Sequence, residues 1–223
     1  MASSVPPSPH EHLAGPVRLR AEYDPAPSRW LWLVKWLLAI PHYLVLAFLW
    51  TAFFLVTVVA FVNILITARY PRALFDFNVG VLRWTWRVEY YSYGVLGTDR
   101  YPPFSLHDVP DYPAHLEIDR PERLSRGLVL VKWWLLVLPQ LAVLFLIMGA
   151  YRFNGGLTGL LAVYAGVVLL FRGRYPRDMY DLNVGLHRWG ARVVAYGTLL
   201  TDVYPPFRLD QGEREPVADE PLP

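Results

Sequence analysis

Few side chains in this chain are able to do chemistry, and six histidines are the first to weigh. His10 and His12 stand two apart in "HEH". That spacing lacks the i, i+4 histidine pair of a zinc-protease helix, so no metal site is expected there. His42 follows Pro41 inside a long apolar run. An ionisable group in such a run is a functional lead by default, and a neutral ring bonded to a backbone carbonyl is the plainer reading. The most suggestive set is written twice: Asp76, Asn78 and Arg83, then Asp181, Asn183 and Arg188. Brought together, these carboxylates, amides and guanidinium groups would make a polar binding cluster. The chain has no cysteine, which excludes disulfides, thiol catalysis and thiolate metal ligands. It also lacks a phosphate-binding Gly loop, a nucleophile elbow and metal-ligand spacings. No enzyme activity and no cofactor are expected.

The elements that must position these residues are duplicated. "RYPRALFDFNVGVLRW" from Arg69 returns as "RYPRDMYDLNVGLHRW" from Arg174. In the same order, "SRWLWLVKW" at Ser28 matches "SRGLVLVKW" at Ser125, and "TDRYPPFSL" at Thr98 matches "TDVYPPFRL" at Thr201. The chain therefore divides into units 16–108 and 113–210, flanked by tails over 1–15 and 211–223 whose composition predicts disorder. His42, His107, His115 and His187 have no His counterpart in the other unit, and Gln140 stands where the first unit has His42.

With 54% hydrophobic and 18% charged residues, clustered rather than spread, the profile is that of a membrane protein. The net charge of +2 gives no reason to expect nucleic acid as a partner. Between Lys35 and Arg69 lie 33 residues without Asp, Glu, Lys or Arg. From Leu128 to Phe171 only Lys132 and Arg152 interrupt the uncharged run. In the second unit "AYRFNGG" supplies a turn between two apolar segments, which predicts a hairpin of spans over 128–148 and 157–171. By analogy the first unit is a tight hairpin, 31–49 and 52–68, and the competing reading is one long tilted helix kinked at Pro41. Two hairpins leave 20 of the 21 Lys and Arg residues and all 19 acidic residues on one side, so the positive-inside rule favours four spans with both termini cytoplasmic.

After each apolar stretch, Tyr-Pro introduces a segment with 3.6-residue periodicity, predicting amphipathic helices over 73–95 and 178–198. Arg83, Arg87, Arg188 and Arg192 with Trp84 and Trp189 are then candidates for lipid or partner contact in the headgroup layer. The polar cluster of Asp76, Asn78, Asp181 and Asn183 would form where the two units meet. "VRLRAEY" and "HLEID" alternate apolar and polar residues and read as short cytoplasmic strands. The fold class is thus mainly α and integral to the membrane: a duplicated two-span hairpin with an interfacial amphipathic helix.

The order of strand, "KW" segment, "RYPR", "D.NVG..RW" helix and "YPPF" resembles the bacterial membrane family catalogued as domain of unknown function 4389, in its duplicated actinobacterial form. The use of 19 Arg against 2 Lys also suits a high-GC organism. The resemblance implies a two-span unit and no established activity, so it transfers no functional residues. The role expected is a scaffold or binding module in the cell membrane that engages anionic lipid, a membrane protein or a second copy of itself. The alternative is a small transporter or channel subunit working as an oligomer.

Overall fold

The computed structural model describes residues 15–148 and 156–210. Within them the chain is mainly helical with two short strands. The order is β1 (Val17–Ala21), α1 (Trp32–Thr67), α2 (Arg72–Tyr91), β2 (Ala114–Ile118), α3 (Arg126–Val131), a π-turn (Lys132–Leu136), α4 (Leu138–Met148), α5 (Gly156–Arg172) and α6 (Arg177–Gly197). The second unit has helices on both sides of its polar turn. Where one span is expected over 128–148 the chain forms α3, the π-turn and α4 in succession, and α5 covers the segment expected over 157–171. The turn itself, including Arg152 and Asn154, lies outside the described residues. So do the tails, apart from Gly15, and with them His10 and His12.

The tight hairpin expected over 31–49 and 52–68 is not formed: α1 is one helix of 36 residues. The sequence between its halves, "LWTA", offers no Gly, Asn or Pro to reverse the chain. Pro41 is accommodated inside the helix, and nearby the Leu38 carbonyl accepts the Tyr101 hydroxyl at 3.1 Å. A second helix packs beside α1. Lys35, Ala39, His42, Leu46, Phe53, Ala60 and Ile64 are buried, a repeat of fours and threes that keeps one face inward along the whole helix. At 100° per residue, Leu33, Leu44, Phe48, Leu55 and Ile66 stand on the opposite face, and all are exposed, Phe48 by 79%.

α2 runs back along that inward face. Trp84 Nε1 reaches His42, Trp50 Nε1 reaches Thr85 Oγ1 at 3.2 Å, and Asn78 Nδ2 reaches Thr57 Oγ1 at 3.0 Å. On its other side α2 meets the sheet. Arg83 Nε donates to Leu116 O at 2.8 Å, and Trp86 Nε1 points to Arg20 O. The second unit repeats this from the opposite direction, with Arg188 Nε donating to Leu19 O at 2.9 Å. β1 and β2 pair antiparallel with Leu19 opposite Leu116, so each unit's amphipathic helix is tied to the other unit's strand. The inward strand residues, Val17, Leu19, Ala21, Ala114, Leu116 and Ile118, are buried; the outward face carries Arg18, which pairs with Glu117 and Asp119.

Three layers result: an apolar layer of α1 and α3–α5, a middle layer of α2 and α6, and a polar lid of strands and loops. α1 is long and apolar enough to cross a membrane by length and composition, with only 17% of its most apolar window buried.

Candidate functional site

The repeated motifs acquire meaning first at the two ends of the middle layer. Lys35 is 1% exposed, and its ammonium group donates to Thr98 O at 2.6 Å while pairing with Asp99 at 2.9 Å. Asp99 also accepts the Ser28 backbone N–H at 2.5 Å. The second unit builds the same clasp: Lys132 on Thr201 O at 2.9 Å and Asp202 at 2.6 Å, with Asp202 accepting Ser125 N–H at 2.7 Å. "SR…K" and "TD" recur because each needs the other: a lysine taken out of water requires both a counter-ion and carbonyl partners.

The arginines and tryptophans expected at lipid headgroups are instead inside the protein, and this corrects the interfacial reading. Arg87 donates to the Ser105 and His107 carbonyls. Arg188 donates to Leu19 O and to Asp210 O at 2.7 Å, and Arg192 pairs with Asp210. Arg87, Arg188 and Arg192 are all buried, and Arg83, half-buried, holds Leu116 O. A guanidinium with five donors in a fixed fork suits this task of gathering loop carbonyls. Trp84 and Trp189 are buried as well. Their indole N–H groups donate to His42 Nδ1 at 3.0 Å and to Gln140 Oε1 at 2.9 Å.

His42 is therefore an acceptor for an indole rather than a donor to a carbonyl, and Gln140 does the same work in the second unit. His42→Gln should accordingly cost under about 1 kcal/mol in thermal unfolding, whereas His42→Leu, which orphans the indole, should cost at least about 1 kcal/mol more.

Asp76 lies exposed beside Arg72 at 3.9 Å, and Asp181 pairs with Arg177 at 3.7 Å in the matching position. Asn78 is buried on Tyr70 Oη at 2.9 Å, and Asn183 is buried on Gly94 O at 2.7 Å. The Asp side chains thus sit in i, i+4 ion pairs, while the Asn side chains pin their helices to neighbouring segments.

The two units do converge on a cavity of about 400 Å³. Leu82, Thr85, Trp86 and Glu89 of α2 face His187, Gly190, Ala191 and Val194 of α6 across it, each at the position equivalent to its partner in the other unit. Leu19 and Leu116, the central pair of the sheet, lie at one end, and Trp50 with Leu141 and Phe145 at the other. The pseudo-two-fold axis therefore runs through the cavity. Room exists because Gly190 and Ala191 replace the bulk of Thr85 and Trp86. Polarity exists because Glu89 replaces Val194 and His187 replaces Leu82.

His187 Nε2 lies 3.9 Å from Glu89 Oε2, and its Nδ1 lies 2.8 Å from Asn183 O, a backbone acceptor. The Nδ1–H is thus committed, leaving Nε2 of the neutral ring as an acceptor facing the cavity. Burial pushes the Glu89 carboxyl up to about 7 and pulls the His187 imidazole down, the latter opposed by its bond to Asn183. Glu89 keeps 30% of its side chain open, and that surface faces the cavity it lines. Sequence reasoning missed this pair because it looked for residues present in both units, and the only signal here is a difference between them. Among the described residues no group of three or more His, Asp or Glu is placed to hold a metal ion.

No curated protein and no solved structure matches this chain. A family model, the domain of unknown function DUF4389, matches residues 29–105 and again 129–208, one copy per structural unit and together more than half of the chain. With its two copies interlocked through strands, clasps and a shared cavity, the chain belongs to the DUF4389 family as a duplicated member.

Proposed function

We propose that this protein is a non-enzymatic binding module seated in one leaflet of a membrane, with α1 lying in the bilayer plane and the sheet facing the cytoplasm. The observation that carries this reading is the order of the layers at the midpoint of α1. There, Trp50 abuts Thr85 of α2, and the neighbouring Arg83 and Trp86 abut the sheet, whose far face bears Arg18, Glu117 and Asp119. If α1 stood upright, that two-stranded sheet with its open edges and ion pairs would be carried beside the hydrocarbon core. Lipid does not tolerate unsatisfied strand edges. At 36 residues α1 is also roughly 54 Å long, against roughly 30 Å of hydrocarbon.

Laid flat, the exposed stripe from Leu33 to Ile66 meets acyl chains along its whole length, and the charged layers stay in water. Segregation of charge to one side, which favours four spans if every apolar helix must cross, is satisfied equally by a helix that never crosses. Arg69, Arg123 and Arg126 gather around one shallow recess at the C-terminal end of α1, a position suited to anionic headgroup phosphates.

The test uses the absence of native cysteine. Single Cys substitutions at Leu33, Leu44, Phe48, Leu55 and Ile66 carry a nitroxide in vesicles containing phosphatidylglycerol. Oxygen and nickel accessibilities should report nearly the same depth at all five sites. A profile deepest near Phe48 and shallow at both ends would mean that α1 spans, and would sink the in-plane reading.

A further inference from the structure

We propose that the cavity on the pseudo-two-fold axis is a binding site for one single-chain lipid with an uncharged hydroxyl head, of the monoacylglycerol kind. The head would bridge Glu89 and His187, and the chain would leave between α1 and α4 toward the apolar face. The inference rests on the in-plane reading for the source of the ligand, since only then does the mouth at Leu141 and Phe145 open into acyl chains.

The walls decide the ligand class. Apart from Glu89, His187 and Thr85, the lining side chains are aliphatic or aromatic, with one glycine, so the site takes hydrocarbon. No Lys or Arg lines it, so a phosphate head would enter without a counter-ion. The volume of about 400 Å³ lies at the small end of ligand cavities, enough for one chain rather than two.

The polar end is specific. His187 Nε2 and Glu89 Oε2 are 3.9 Å apart, too far to bond each other and close enough for one hydroxyl to serve both. Such a hydroxyl donates to the imidazole nitrogen and accepts from the protonated carboxyl. It thereby satisfies two polar groups that otherwise face an apolar cavity. A hydrocarbon without the hydroxyl would leave both unmet.

The asymmetry between the units supports the same conclusion. A duplicated core packed only for stability has no need of a small-residue pair on one side and a Glu–His pair near the centre of the axis. Here both departures from symmetry fall on the same cavity: Gly190 and Ala191 open it, and Glu89 and His187 give it a polar end.

The experiment uses the full chain in mild detergent with monodecanoylglycerol as probe and native mass spectrometry as readout. Wild type should carry one copy per chain, with decyl phosphate bound at least tenfold less. Ala191→Phe, which fills the cavity, should lower occupancy at least tenfold while circular dichroism and unfolding temperature stay those of wild type. Val194→Phe fills the same space from the next turn and replaces it if the first variant misfolds. Glu89→Leu with His187→Leu should weaken binding about tenfold, the loss of one well-made buried polar bridge. Equal occupancy in a folded cavity-filling variant, or equal uptake of decyl phosphate, overturns the proposal. Because no bilayer is present, this result stands apart from the depth profile of α1, and either reading can fail alone.

Discussion

Asp99→Ala lowers the unfolding free energy by about 3–5 kcal/mol, and thermal unfolding in detergent should report it as a fall of roughly 10 °C. The size follows from what is left behind. Lys35 is 1% exposed and is held by Thr98 O and by the Asp99 carboxylate. Removing Asp99 strands the buried Lys35 ammonium group, and it also takes away the acceptor of the Ser28 N–H ahead of α1. Asp202→Ala repeats the experiment on Lys132 and Ser125 and should cost as much. Lys35→Met on top of Asp99→Ala should recover most of the loss, because the dominant penalty is the unpaired charge rather than the missing attraction. A loss under about 1 kcal/mol for Asp99→Ala would mean that Lys35 reaches solvent, and the clasp would then be no organising contact.

The same clasps show how far the sequence could be read. Duplication was legible because the contacts that close each unit are made by short motifs that stand in both copies: Ser28 and Lys35 with Asp99, Ser125 and Lys132 with Asp202. The amphipathic helices and both strands were legible from periodicity. What periodicity leaves open is the identity of the neighbour. A polar helix face facing headgroups and one facing a lid of carbonyls look alike in one dimension, so Arg87, Arg188 and Arg192 were placed at lipid when they bind Ser105, His107, Leu19 and Asp210.

The hairpin in the first unit failed for a related reason. An apolar run does not state its direction relative to the bilayer, and α2 supplies a straight partner stripe that a reversal near residue 50 would destroy. The cavity was illegible in principle to a search for repetition. Glu89 and His187 matter where the copies disagree, with Val194 and Leu82 in their places.

That disagreement also sets a pH signature, and the sign can be worked out group by group. Glu89 is raised from 4.5 to about 7 by burial, so its contribution to stability is full below about 4.5 and is lost as pH rises through about 7. His187 is lowered from 6.5, so its contribution is full above that value and is lost as pH falls through its folded value. The two slopes oppose each other across mildly acidic pH, and among the described residues Glu89 and His187 are the only ionisable groups lining the cavity. The difference between each single variant and wild type across pH therefore isolates the group that was removed. Glu89→Gln should gain about 2 kcal/mol between pH 5 and pH 8 relative to wild type, because the loss that the buried carboxyl brings as pH rises is removed with it. The shift itself sets a ceiling of about 3 kcal/mol, and the open part of the carboxyl reduces it. His187→Gln should instead lose stability relative to wild type over the same rise, with the difference levelling off above 6.5. Unfolding temperatures of the three proteins across that range give both slopes, with the surface carboxylates common to all of them cancelling in the differences. A flat difference curve for Glu89→Gln would mean that Glu89 ionises as an ordinary surface carboxylate. The protonated carboxyl that a bridging hydroxyl requires would then be absent at neutral pH.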